Sequence, residues 1–449
     1  MRKKSFAALL LAMLSLPCMP VANGQTAVQI TTTSGTEKEV TIEELFEWAE
    51  QNSQSLKVQR AGIEQARHGL SAAKAERLPE ISSSLSLGYL ADGLLSDRDF
   101  KGWTHVDNPH FTNNFALKAR QVVYAGGAVD GNIKLASIRK EQADIGLQMG
   151  RQEIRFLLVG YYLELCKLQN QQRVIEKNLE LTNQVIKNMN VRHKEGTALR
   201  NDITRYELQR EQLLLQLEKV KNARETMNHH IVITLHLPEG THLKGNSELL
   251  VATTNLPVEA EWQALSKKTN LSLQQKALEV KSGKQQLKLE RSALLPKVSI
   301  VAENHFDGPI TIEVPVINKN FNYWFAGVGI QYDLSALYKS NHKVRRAKQA
   351  LRQAEEQQKL EEERVNNAVQ ATYMDYQTAT AERRAQKKSV ELADQSYDVT
   401  ANRYRNGLAL LTDMLDASNS KLSADLGLVN AEIDVLYNYY KLKYVTHTL

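Results

Sequence analysis

RYRNGLALLTDM, at residues 403–414, repeats a pattern that first occurs as RHKEGTALRNDI at residues 192–203. Both stretches place an arginine, an aromatic ring, a glycine, the pair Ala-Leu, an aspartate and an aliphatic residue at the same spacing. Agreement at so many positions is too extensive for chance, and self-similarity at a fixed long period indicates duplicated structural units. We therefore interpret residues 41–237 and 258–449 as two copies of one unit.

A second match lies near the start of each copy. Residues 56–81 align without a gap with residues 273–298, and each stretch contains a Leu-Pro pair shortly before an aliphatic residue. The residue before a proline avoids the helical region, so each pair predicts the end of a helix. We expect these first helices at residues 41–76 and 258–292, with Thr41 and Glu44 forming a capping box at the first start. A linker is predicted at residues 238–257.

Two strands are predicted to follow the first helix of each copy, at about residues 80–90 and 111–122 and then 297–306 and 322–333. Their side chains alternate between apolar and polar, so that each strand has one apolar face. Strands of about ten residues with polar and apolar faces fit the wall of a membrane β-barrel, although an ordinary sandwich sheet has the same alternation. Four strands cannot close a barrel around a lumen, so a membrane wall requires several chains.

Long helices are predicted after the strands. The chain has only 9 Pro in 449 residues, and none lies within residues 110–237 or 316–449. A proline inside a helix costs about 3 kcal/mol, so its absence allows very long helices, which need partners along their length. Gly196 and Gly407 are predicted to mark the turn of a helical hairpin in each copy, since glycine accepts the left-handed conformation that ends helices.

The N-terminal residues 1–24 are predicted to be a signal peptide. Arg2, Lys3 and Lys4 precede a short apolar run, and small residues before Gln25 suit a signal peptidase. The apolar run is too short to span a bilayer, whereas lipid attachment at Cys18 remains an alternative. Residues 25–40 are interpreted as an N-terminal extension of the mature chain.

Charge and cysteine content exclude several classes of protein. Removing residues 1–24 takes away three positive charges and no acids, which lowers the net charge from +6 to +3. Such a small excess in an exported chain gives no indication of a nucleic-acid partner. The 2 Cys rule out a disulfide framework or a cysteine-rich zinc module.

The export signal, the duplicated halves, the two strands per half and the long hairpins together resemble the TolC-type outer membrane efflux proteins. The resemblance runs from about residue 41 to residue 449. Its most specific parts are RYRNGLALLTDMLD at residues 403–416, the counterpart at residues 192–203, and the Leu-Pro strand starts. QVVYAGG at residues 121–127 is similar to the family's strand-to-helix exit, whereas YDLSALY at residues 332–338 lacks the glycine pair.

The resemblance implies a mainly α fold with a β-barrel contribution, built from a duplicated helix–strand–strand–hairpin unit. It implies a homotrimer whose twelve-stranded barrel lies in outer membrane lipid, continuous with a periplasmic α-helical tunnel. Such a duct performs no chemistry and belongs to a tripartite efflux or type I secretion system. Its partners are a periplasmic adaptor, also called a membrane fusion protein, and an inner-membrane transporter. Residues 91–110 and about 307–322 would form the outside loops.

The resemblance also assigns residues at the periplasmic end. Asp413 and Asp416 match two aspartates that line the closed entrance, where threefold symmetry would gather six carboxylates. Tyr404 matches a tyrosine that helps to hold the entrance shut, although Ala409 replaces the arginine that is its partner in the family. In a second interpretation, Asp413 is only a helix-start residue, which its counterpart Asp202 in the first copy favours, and Asp416 is only a solvated residue. Six residues form the predicted adaptor-contacting tips: Gly196, Thr197, Ala198, Gly407, Leu408 and Ala409.

A different class of function also fits the sequence: an exported structural or adhesive coiled-coil protein without a channel. No catalytic set, cofactor-binding motif or metal site is predicted from the residues, and the chain is not expected to be an enzyme. Recovery of the protein in outer membranes as a detergent-stable trimer would favour the duct.

Overall fold

The computed structural model of the protein describes residues 37–246 and 257–449. The predicted signal peptide, most of the N-terminal extension and part of the linker lie outside the described residues. Eight helices and eight strands are present within the described ranges. The predicted mainly α fold, with two strands and one long helical hairpin in each half, is confirmed.

The first helix of each half is broken once, so the prediction of one continuous helix in each half was wrong. The first half contains α1 (Ile42–Asn52) and α2 (Gln54–Ala75), and the second contains α5 (Glu259–Thr269) and α6 (Leu271–Ser292). Both breaks fall at the same place in the repeat, at two buried polar residues with extended backbone. They are Ser53 and Asn270.

Capping side chains explain where α6 and α1 begin. The Asn270 side-chain oxygen Oδ1 accepts a hydrogen bond from the Leu273 N–H at 3.1 Å, which caps α6. Its amide nitrogen donates to the Val445 carbonyl at 3.0 Å, so the break also holds the end of the last helix. At α1, the reciprocal bonds between Thr41 and Glu44 form the expected capping box.

Four long strands form one antiparallel sheet: β2 (Glu80–Tyr89), β5 (Phe111–Tyr124), β7 (Lys297–Gly308) and β8 (Phe321–Gln331). They lie in the order β2-β5-β7-β8, so the central β5–β7 pairing joins the two halves. Within the described part of the chain, β2 and β8 each have a partner strand on one side only. The sheet is therefore open at both edges.

The two faces of this sheet differ as the alternation predicts. One face carries most of the large apolar side chains, including Leu85, Val328 and Ile330, which are 64%, 68% and 73% exposed. The register places Leu85 opposite Phe115, and Phe115 opposite Phe306, so apolar residues run across adjacent strands on this face. The other face is largely polar. An apolar face with this much exposure lacks the cover that a sandwich core provides.

Four short strands were not predicted. β1 (Lys38–Val40) pairs in parallel with β6 (Leu243–Gly245), and β3 (Gly93–Leu95) pairs with β4 (Thr104–Val106) between β2 and β5. Strands of three residues carry too little alternation to be recognised in a sequence. The second pair forms a small hairpin in the first predicted outside loop.

Two long hairpins make up most of the molecule. The first consists of α3 (Ala128–Lys194) and α4 (Arg200–Thr234), and the second of α7 (Ala336–Arg405) and α8 (Leu411–Val445). With 70 residues at a rise of 1.5 Å each, α7 spans about 105 Å. In the described ranges, no helix has the length and apolar character needed to cross a bilayer.

Apolar packing is distributed along the hairpins in several clusters. The largest lies where α1, α3, α4 and the β1–β6 pair meet, and the Tyr162 hydroxyl donates to the Val40 carbonyl there at 3.0 Å. Cys166 is buried in the same cluster. A separate cluster lies at the far end of the hairpins, next to their tips.

Candidate functional site at the helical tips

The two tips of the hairpins have the same backbone geometry. Gly196 and Gly407 take φ values of +75° and +74°, in the left-handed region that favours glycine. Equivalent backbone bonds of 2.8 Å close both tips: Thr197 N–H to Arg192 O, and Leu408 N–H to Arg403 O. This pattern, in which an N–H beyond the glycine returns to a carbonyl of the last turn, terminates the helix and reverses the chain.

The predicted tip residues lie at the outer ends of the hairpins. Thr197 and Leu408 are exposed, whereas Ala198 and Ala409 are half-buried at equivalent positions. Leu408 is 68% exposed. Two further leucines, which the sequence did not single out, are exposed beside the tips, namely Leu199 and Leu410. Each precedes the first residue of its return helix.

Asp413 and Asp416 lie in the first two turns of α8. The Leu410 N–H donates to Asp413 Oδ2 at 3.0 Å, so Asp413 stabilises the start of the helix. Both aspartates are exposed, whereas Met414 and Ala417 beside them are buried. The two carboxylates therefore face away from the core of the protomer. The contact with Leu410 supports the interpretation of Asp413 as a helix-start residue. The ring of carboxylates at the entrance stays a prediction.

Tyr404 is half-buried at the end of α7 and packs against the cluster beside the tips. The cluster contains Ile186, Met189, Ile203, Tyr206, Leu411 and Met414. Burial raises the pKa of the Tyr404 phenol, the neighbouring Arg192 opposes this, and Asp202 adds to it. The phenol is therefore neutral at physiological pH.

Arg192 places a cation against Tyr404, whereas position 409 holds alanine. Its guanidinium lies over the Tyr404 ring, 5.5 Å from the ring centroid. Arg192 is on α3 and Tyr404 is on α7, so the contact ties the two hairpins together one turn before their tips. Sequence reasoning did not single out Arg192, although the repeat aligned it with Arg403.

Tyr206 lies beside this contact. It is 1% exposed, and its hydroxyl has no hydrogen-bond partner within the described ranges. Burial raises the pKa of Tyr206, which keeps the hydroxyl neutral. The contact between Arg192 and Tyr404 therefore lies at the edge of a buried cluster.

Solved structures of outer membrane proteins share the fold of this chain. VceC from Vibrio cholerae is 16% identical, with a TM-score of 0.72, over 90% of this chain and 96% of that one. CmeC from Campylobacter jejuni is 12% identical, with a TM-score of 0.71, over 97% of this chain and 94% of that one.

Sequence relatives agree with the fold. The outer membrane efflux protein BepC of Brucella suis biovar 1 (strain 1330) is 22% identical over 399 residues, which cover 88% of this chain and 82% of BepC. A family model described as outer membrane efflux protein matches residues 45–230 and 263–445, which lie in the two halves. The chain belongs to the outer membrane efflux protein family.

Proposed function

We propose that three copies of this chain form one exit duct, which conducts substrates passively from a periplasmic adaptor and an inner-membrane transporter to the outside. As a member of its family, the chain lies in the outer membrane with a helical tunnel in the periplasm. The observation that carries the proposal is the open four-stranded sheet, apolar and exposed on one face, together with a helix of about 100 Å in each hairpin.

The open edges of the sheet support assembly of several copies. Unpaired strand edges expose backbone N–H and C=O groups, which cannot be left unsatisfied in lipid. Pairing β8 of one copy with β2 of the next would satisfy both edges, and three copies would contribute twelve strands. Cyclic symmetry is the usual way for identical chains to close such a ring.

The dimensions of the sheet support a position in the membrane. The ten residues of β2 extend about 33 Å, and a tilt of about 40° reduces this to the height of an outer membrane apolar band. The exposed apolar face would contact lipid, and the polar face would line the lumen. The threefold arrangement of the chains would also bring Asp413 and Asp416 of each chain to the entrance at the helical tips. Carboxylates at such an opening favour cations.

The exposed leucines at the tips support a docking role for that end. Leu199, Leu408 and Leu410 are 71%, 68% and 70% exposed. Apolar side chains gathered at one end of a polar helical bundle are typical of an interaction surface. We assign this surface to binding of the adaptor. The inner-membrane transporter would supply the energy for transport. Copurification of the adaptor with the intact trimer tests the assignment, and its loss in a Leu408→Asp variant is expected.

Replacing Arg192 with alanine is predicted to open the entrance. Widening the tips requires the two hairpins to move apart, and the contact of Arg192 with Tyr404 opposes this. A cation–π contact of about 0.5–1 kcal/mol per chain corresponds to a roughly 2–5-fold shift toward the open state, and three contacts that break together give more. Single-channel conductance of the reconstituted protein measures the effect.

Lys194→Ala is the matched control for this prediction. It removes one positive charge from the same turn of α3, two residues beyond Arg192. Equal conductance in the Arg192→Ala and Lys194→Ala proteins would show that the contact of Arg192 with Tyr404 does not hold the entrance closed. Arg192→Lys keeps the charge and should retain part of the closure.

A further inference from the structure

Three aromatic side chains lie in a row on the polar face of the sheet. Phe321, Tyr323 and Phe325 alternate along β8 and are 55%, 40% and 54% exposed. The Phe325 ring lies over Gly327, where a Cβ would come within 2.7 Å of Phe325 Cζ. Aromatic residues are unexpected on this face, because the interior of a membrane barrel is generally polar.

A row of titratable side chains runs beside the aromatic row. Glu303, His305 and Asp307 alternate along β7, and the strand register places them opposite the three aromatic residues. The His305 ring stacks on Tyr323, with 5.1 Å between centroids and an angle of 7° between the planes. Its nitrogens face both acids, with 3.0 Å from Nε2 to Glu303 Oε2 and 3.7 Å from Nδ1 to Asp307 Oδ2.

The neighbouring strand β5 supplies one cation to this row. Lys118 Nζ lies 3.9 Å from Glu303 Oε2, and the Asn114 amide donates to Asp307 Oδ1 at 2.6 Å. Arg120 is further along β5, where the register places it opposite Glu80 of β2. Glu303 and Asp307 therefore bring two negative charges to the row, against the one positive charge of Lys118.

We propose that these two rows, Glu303, His305 and Asp307 with Phe321, Tyr323 and Phe325, form a binding strip for organic cations inside the barrel. The inference rests on the proposed duct, in which the polar face lines the lumen. Carboxylates attract the positive charge, and exposed aromatic faces attract both the charge and apolar substituents. A hydrated inorganic cation gains less from the aromatic row, so the strip distinguishes organic cations from K⁺.

Block of K⁺ current by benzyltrimethylammonium tests the strip. The probe is added on the extracellular side of the trimer in a planar bilayer, in an Asp413→Asn/Asp416→Asn background that removes the entrance carboxylates. We expect block by the cation and none by neutral benzyl alcohol. Glu303→Gln/Asp307→Asn and, separately, Phe321→Leu/Phe325→Leu should each raise the half-blocking concentration several-fold.

Two control variants come from the same region. Trp324→Leu changes an aromatic residue of β8 on the opposite face, where it is 77% exposed. Glu313→Gln removes an exposed carboxylate between β7 and β8. Neither variant should change the block. An equal loss of block in the Trp324→Leu protein would assign the effect to the fold of the strand and overturn the strip.

A conducting trimer with the same block in every variant would overturn the strip and leave the duct intact. A protein that forms no channel would overturn both.

Discussion

Replacement of Leu85 by arginine is expected to prevent stable insertion of the protein into the outer membrane. Leu85 lies in the middle of β2 on the apolar face and is 64% exposed in the single chain. In the proposed barrel this side chain meets lipid. Arginine on the lipid face near the bilayer midplane costs about 2–4 kcal/mol, so three copies of the substitution cost roughly 6–12 kcal/mol per trimer.

Ser84→Arg is the matched control, because Ser84 is the adjacent residue on the opposite face of the same strand. It lies opposite Ala116 on the polar face, where an added charge meets water. The amount of protein in the outer membrane fraction, and its migration as a trimer in unheated gels, measure both variants. Equal behaviour of the two proteins would contradict the assignment of one face to lipid and the other to the lumen.

The double substitution Asp413→Asn/Asp416→Asn is expected to abolish the preference of the duct for cations and its block by multivalent cations. Both carboxylates are exposed on one side of α8, and the trimer would place six of them around one opening. Removing six negative charges from a narrow opening changes selectivity strongly, since rings of carboxylates attract cations there. The ratio of cation to anion permeability in planar bilayers measures the change.

A conservative variant distinguishes selectivity from folding in this experiment. Asparagine retains a side-chain oxygen that can accept the Leu410 N–H, so the start of α8 should survive in the double variant. Asp413→Glu/Asp416→Glu keeps all six charges and should retain the cation preference. Unchanged selectivity in the asparagine variant would remove these aspartates from the entrance and leave Asp413 as a helix-start residue.

Local sequence rules predicted the elements of the fold well. The two glycines at the tips could be found because the left-handed conformation restricts the residue type, and the repeat fixed both positions. The four long strands could be found because a face exposed to lipid requires apolar residues at every second position. The break at Asn270 could not, because a hydrogen bond from Asn270 to the distant Val445 carbonyl stabilises it.

Contacts between the two halves of the chain could not be predicted from local sequence rules. Arg192 and Tyr404 lie more than 200 residues apart in the chain, and only the packing of the two hairpins against each other brings the guanidinium over the ring. The binding strip that includes Phe321, Tyr323 and Phe325 could not be predicted for a related reason. Its residue types also suit a membrane surface, and only the register with Glu303, His305 and Asp307 shows that acids lie beside it.

The mass of the detergent-solubilised complex tests the central claim most directly. The full chain, expressed with its own N-terminal segment, would be extracted from purified outer membranes and measured by light scattering with correction for bound detergent. The proposed duct predicts a single species with three times the mass of one chain, and this species should conduct ions after reconstitution. A protein recovered as a monomer from the soluble periplasmic fraction would contradict the account and favour an exported coiled-coil protein without a channel.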